Sequence, residues 1–155
     1  MKDSTTTKIK FLKELGADRV PHSGRYLIDH LVGVHDILVG WKLEQYVCDA
    51  GLFHSIYGTM SFKHQTTDDR EYIKSIIGSM SENLVYHFCM LDRPRLYHIG
   101  EIQDGKLKED LVHINSANSQ EQNIATKKEP PADAKDWENV PNKYENYFSE
   151  KGGNE

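Results

Sequence analysis

The sequence predicts an all-α domain, and three observations carry that prediction. Apolar residues recur at helical spacing through most of the chain, no stretch alternates apolar and polar residues over the length of a strand, and apolar content falls away towards the C-terminus. Of the 155 residues 37% are hydrophobic, which is low for a packed domain, and only about 10 of the last 40 are apolar. The core is therefore expected in the first three quarters of a single domain. Residues 1–122 are read as a helical bundle and 123–155 as a polar, poorly structured tail.

Taken in order, a first helix is expected over Thr6–Leu15, with Ile9, Phe11 and Leu12 inward and Gly16 as its stop. Ala17–Gly24 reads as a loop, because Pro21 drives Val20 out of the helical region. A second helix over Arg25–Trp41 is apolar around much of its circumference and is expected at the centre. A third, Leu43–Tyr57, aligns Leu43, Val47, Ala50 and His54 on one face, and Gly58 ends it. Asp68 and Glu71, three apart, read as a capping box opening a short fourth helix to Gly78. A fifth covers Ser81–Leu91, and Pro94 closes that region. Asp104-Gly105 reads as a turn between two short extended pieces, before a last helix over Leu107–Gln122. Beyond it, Trp137, Tyr144, Tyr147 and Phe148 stand in a charged, proline-bearing tail and are expected to dock on the body or on a partner.

Charge and composition exclude several classes of function. A net charge of −5 with scattered Lys and Arg offers no footprint for a nucleic acid backbone or an anionic membrane surface. No segment has the roughly 18 uninterrupted apolar residues of a membrane span, and Met1–Lys10 lacks the apolar run of a secretory signal. Cys48 and Cys89 lie in apolar segments, which reads as a reduced, cytoplasmic protein.

The eight histidines are the first sign of chemistry. His30 lies one turn from Leu27 and Val34, His54 completes an apolar line, and Asp92 follows Val85 and Phe88 at helical spacing, so all three are expected to point inward. Two imidazoles and a carboxylate converging from packed helices suit zinc or a transition metal. Each residue also has a plain structural reading, a bonded core histidine or a capping carboxylate.

The stretch HLVGVHDILVGWKLEQYVCDAGLFHS, His30 to Ser55, resembles the heart of the HD-domain superfamily of metal-dependent phosphohydrolases. In that pattern a histidine on one helix is followed by a second helix ending in Ala-Leu-Leu-His-Asp, a place held here by Ala50-Gly51-Leu52-Phe53-His54-Ser55. The 23 residues between His30 and His54 resemble the spacing in the hydrolase domain of (p)ppGpp synthetase/hydrolases. More closely, HSGRYLIDHLVGVHDIL followed by AGLFHSIYGT is similar, over residues 9–122, to an uncharacterised HD-like family with serine after the second histidine. The resemblance implies an HD-like bundle, with Asp92 as the distal metal-binding aspartate.

The chain departs from the superfamily at Ser55, where the name-giving aspartate ligates metal, and at Gly58-Thr59, where the stringent hydrolases carry an acidic pair. His35-Asp36 does not restore the motif, since His35 points about 140° away from His30 on the helix. His22 is expected to supply the missing ligand, giving a shell of His22, His30, His54 and Asp92 for a divalent Zn, Mn or Fe ion. Ser55 and Tyr57 would then hydrogen-bond a bound water or oxyanion, and Arg25 would meet a phosphate or carboxylate. Two functions follow as expectations. One is metal-dependent hydrolysis of a small phosphorylated or nucleotide substrate, with a di-iron oxygenase as a variant. The other is a non-catalytic, degenerate HD fold that binds a ligand or protein.

Overall fold

A computed structural model describes residues 4–126, and these form a bundle of seven helices with one small hairpin. Helix α1, Thr5–Glu14, starts where the Ser4 hydroxyl accepts the Thr7 backbone N–H at 3.1 Å. Strands β1, Pro21–His22, and β2, Arg25–Tyr26, pair antiparallel with His22 opposite Arg25. Ser23 and Gly24 between them both have positive φ, the two-residue turn whose twist suits a hairpin. The segment expected to be plain loop is thus a hairpin, and it takes Arg25 and Tyr26 out of the second helix. Helix α2 begins instead at Leu27 and runs to Gly40, its first turn closed by Asp29, which accepts the Tyr26 N–H at 3.2 Å.

Helix α3, Gln45–Leu52, stops five residues before the expected Tyr57, and residues 53–57 turn away before Gly58 at φ +85°. His54 therefore stands on the turn beyond α3. Helix α4, Arg70–Ile77, is capped by Asp69, not Asp68, through the Tyr72 N–H at 3.1 Å. Helix α5 covers Ser79–Met90, and α6, Arg95–Gly100, is a short helix the sequence did not signal beyond the stop at Pro94. Helix α7, Gly105–Thr126, begins at the expected turn because Asp104 accepts the Leu107 N–H at 3.0 Å, so no extended pieces form there. The tail aromatics from Trp137 to Phe148 lie outside the described residues.

As its apolar circumference requires, α2 is central and packs mainly on α3 and α7. Leu27, Leu31, Val34 and Leu38 from α2 meet Val47, Ala50 and Leu52 from α3, with Phe53, Ile56, Phe88, Leu111 and Ile114 around them, all buried. Charge is also built into this interior. Lys8 donates to Asp49 at 3.0 Å with both side chains buried, joining α1 to α3. Buried Glu82 accepts two hydrogen bonds from Arg70, at 2.7 and 2.9 Å, and one from the Tyr57 hydroxyl at 2.7 Å. That set fixes α4, α5 and the turn after α3 to one another, since a buried carboxylate stripped of its donors is expensive. Among the described residues no helix is long and apolar enough to cross a membrane.

The α2–α3 contact is close enough to need a glycine. A Cβ at Gly51 would stand 2.3 Å from Leu38 Cδ1 and 3.3 Å from Val34 Cγ1, and both side chains are fully buried. Gly51→Ala is expected to destabilise the fold by about 1–3 kcal/mol, read as a lower urea midpoint at unchanged slope. An unchanged midpoint would show that the helices separate freely.

Candidate functional site

Four elements bring polar side chains to one place. The hairpin supplies His22, α2 supplies His30, the turn after α3 supplies His54 and Ser55, and α7 supplies Asn118, Ser119 and Gln122. They line a cavity of about 350 Å³ together with Arg93 and Arg95 at the start of α6, and Thr59, Ser61 and Phe62 from the following loop. The cavity has a floor and a rim: His30, His54, Ser55, Arg95 and Ser119 are buried, whereas Pro21, Ser23, Ser61 and Arg93 are exposed. Among the described residues, its lining holds imidazoles, guanidinium groups, hydroxyls and carboxamides, and no carboxylate.

The floor is held by a continuous chain of polar contacts. Arg25 donates from Nη2 to Glu121 Oε1 at 2.7 Å, and the same oxygen stands 2.5 Å from His30 Nδ1. The amide of Asn118 reaches both His30 Nε2, at 2.8 Å, and His54 Nε2, at 3.1 Å. His54 closes the chain by donating from Nδ1 to the Gly51 carbonyl at 2.8 Å, and its own carbonyl accepts the Cys89 thiol at 3.0 Å. Gly33, one turn after His30, makes room for this: a Cβ there would stand 2.6 Å from Glu121 Cγ and 2.8 Å from a carboxylate oxygen.

These partners fix the tautomers. A carbonyl only accepts, so His54 carries its proton on Nδ1 and presents a lone pair at Nε2. Glu121 as a carboxylate imposes the same arrangement on His30. Two lone pairs then face the Asn118 amide. Asn118 Oδ1 is the atom placed against both nitrogens, and all groups are satisfied when the amide is flipped so that its NH2 gives one N–H to each ring, an orientation that hydrogen bonding assigns.

Electrostatics disfavour a charge on His22 and on His54. Burial, the His30 charge and other cations push His54 well below 6.5, against the pull of the Gly51 carbonyl. Burial, then His30 and Arg25, lower His22 from 6.5 to about 4. Burial works to raise the Glu121 carboxyl, but the bonds from His30 and Arg25 outweigh it and hold the group below 4.5. Burial also pushes the Cys89 thiol up to about 12, so it remains a donor.

The expected site residues separate into two groups. His22, His30, His54 and Ser55 line one cavity. Asp92 does not join them, because α5 ends at Met90 and the chain leaves helical phase. Its side chain is exposed and accepts the Arg93 N–H at 2.8 Å. Arg25 is engaged with Glu121, and Tyr57 with Glu82, so neither lines the cavity. Sequence reasoning missed Asn118, Glu121 and Arg95. The available signal was the polar run Asn115, Ser116, Asn118, Ser119, Glu121 within an otherwise helical stretch, four members of which are buried.

The lowered histidines give a pH dependence with a definite sign. An unfolded chain takes up protons at His22 and His54 near 6.5, while folded His22 takes its proton only near 4. The unfolded state binds more protons in that window, so stability falls as pH drops from about 6.5 towards 4. Glu121 acts in the same direction: its contribution is complete above 4.5 and is lost as pH falls through its lowered value. Urea midpoints between pH 7.5 and 4 should show this loss, with a shallower slope in His22→Gln; equal slopes would place the proton uptake elsewhere.

Two family models match parts of the chain. Residues 11–93 match a family model described as Domain of unknown function (DUF6817), a span that carries His22, His30, His54, Ser55 and Arg93 and ends before α6 and α7. Residues 120–149 match a second model, Domain of unknown function (DUF3470). No curated protein and no solved structure matches the chain. With more than half of its length matched, the chain belongs to the DUF6817 domain family.

Proposed function

We propose that the cavity binds a small phosphorylated molecule. The observation that carries this reading is the lining itself: among the described residues, three imidazoles, two guanidinium groups and five hydroxyls surround about 350 Å³, and none of the lining residues is a carboxylate. Arg and hydroxyl groups are the usual donors to phosphate oxygens, and a cavity free of carboxylates does not repel them. The volume suits a ligand of metabolite size. Phe62 packs edge-on against His22 at 4.7 Å between ring centres, which gives the ligand's organic part an apolar wall near the rim.

Metal-dependent hydrolysis of the same ligand, as the HD resemblance implies, is the second reading. It is favoured by the Nδ1 groups of His30 and His54, tied to Glu121 and to the Gly51 carbonyl as metal-bound histidines usually are. The four-residue shell does not fit as placed. A metal lies in the plane of each imidazole that holds it, yet His22 and His30 are stacked 4.3 Å apart at 12°, so no single ion is in plane with both. Asp92 is on the surface. Among the described residues, no group of three or more His, Cys, Asp or Glu side chains is arranged to hold a metal. The residues that remain on the floor bind and orient, with His30 and His54 held as acceptors by Asn118.

Thermal shifts with a panel of sugar phosphates and nucleotides separate the readings. Stabilisation in EDTA, weakened in Arg93→Gln and in Arg95→Lys, is the expected result. Turnover that requires added Zn, Mn or Fe(II) and disappears in His54→Ala would replace it with the hydrolase reading.

A further inference from the structure

The two buried histidines of the floor converge on one side chain. A single amide atom of Asn118 stands 2.8 Å from His30 Nε2 and 3.1 Å from His54 Nε2, and the two rings meet edge to face with centres 5.1 Å apart. Their other nitrogens are tied back, Nδ1 of His30 to Glu121 and Nδ1 of His54 to the Gly51 carbonyl. A ring held in this way presents its Nε2 lone pair at a fixed place, which is how proteins prepare a histidine to hold a metal. Here both lone pairs are already occupied, since the Asn118 amide gives one N–H to each.

An ion and that amide compete for the same position. A zinc ion lies about 2.0–2.1 Å from an imidazole nitrogen, and a hydrogen donated to that nitrogen stands at about 2 Å, so the amide hydrogens fill the place an ion would take. Charge works in the same direction. Among the described residues no carboxylate lines the cavity, and Glu121, bonded to His30 on its far side, is already shared with Arg25. A divalent ion between the two imidazoles would be enclosed without an anionic ligand, which is costly. Breaking both amide bonds would add to that cost.

We infer that Asn118 takes the place of a metal ion at this pair: its amide keeps His30 and His54 closed to metals, and an aspartate at position 118 turns the pair into a divalent metal site. One side chain then decides which chemistry the floor supports. An aspartate removes the two N–H donors and supplies the missing negative charge in a single change. Asn118, His30 and His54 all line the cavity, so further coordination positions of an ion held there would open into it. The inference concerns the floor histidines alone and holds whether or not the cavity takes a phosphorylated ligand.

The full chain, Asn118→Asp and Asn118→Ala, each stripped with EDTA and dialysed, are compared by thermal unfolding with and without Zn(II) and by the visible absorption of added Co(II). The parent is expected to unfold at the same temperature with and without Zn(II) and to leave the Co(II) spectrum as it is in buffer. Asn118→Asp should be less stable than the parent without metal, because a carboxylate then faces two lone pairs. It should regain stability with Zn(II) and give Co(II) the intense absorption of a tetrahedral site. Asn118→Ala opens the pair without adding charge, so it should bind Zn(II) more tightly than the parent but about 10–100-fold more weakly than Asn118→Asp. Circular dichroism shows whether each variant is folded, and an Asn118→Asp chain that folds only with Zn(II) also meets the expectation. Zn(II) stabilisation of the parent that is lost in Asn118→Ala would make the amide a ligand and overturn the inference. So would an Asn118→Asp chain that gains neither stability nor a Co(II) spectrum, and so would a folded Asn118→Ala chain that responds to Zn(II) no more than the parent.

Discussion

The structure depends on satisfying two buried histidines. His30 and His54 are 1% and 2% exposed, and a buried imidazole must hand its N–H to an acceptor and its lone pair to a donor. Four groups do this together: Glu121 and Asn118 from α7, the Gly51 carbonyl from the end of α3, and Arg25 behind Glu121. Because these come from different elements, the hydrogen bonds also decide how the elements pack. Helix α7 must approach α2 closely enough for Glu121 to reach His30, and the glycine at position 33 permits that approach. A glycine within a helix is unfavourable in isolation, by about 1 kcal/mol relative to alanine, and here it leaves space for a carboxylate.

The same arrangement sets the character of the cavity. With both Nδ1 groups tied down and both Nε2 lone pairs facing Asn118, the imidazoles form a rigid floor. Ser55 and Arg95 complete the lining of that floor, and Arg93 stands at the rim. The two buried carboxylates closest to this machinery are directed away from the cavity. Glu121 lies behind His30, and Glu82 is held among Arg70 and Tyr57 on the far side of the turn. Among the described residues, the cavity is thus lined without a carboxylate inside a chain whose net charge is negative. Net charge describes the whole surface and the solubility of a protein, whereas a cavity responds to the few groups that line it.

Much of the bundle is legible as periodicity. Helices α1, α2, α4 and α5 fall near their expected places because their apolar stripes need a face to bury. The errors have identifiable causes. The hairpin at 21–26 was hidden by its length, since two-residue strands show no alternation. Helix α3 ended early because the turn to Gly58 begins at Phe53, although His54 and Tyr57 still fit the helical phase on paper. Asp92 was assigned inward by continuing the phase of α5 past Met90, where the backbone has already become extended. For α7 the usual rule worked against the reading. Asp110, Asn115, Ser116, Ser119 and Glu121 are polar and would be placed in solvent, yet all are buried.

The sequence by itself determined that the chain is helical and that α2 is its centre, and it singled out His22, His30, His54 and Ser55, which the fold brings to one cavity, because these follow from local spacing and from short motifs. Tertiary structure alone decided which groups those residues face. Asn118 and Glu121 lie 88 and 91 positions from His30 along the chain, and no periodicity links a side chain to a partner at that distance. Whether a histidine serves as a donor, an acceptor or a ligand depends on what stands at each of its two nitrogens, and that is fixed only when separate helices pack.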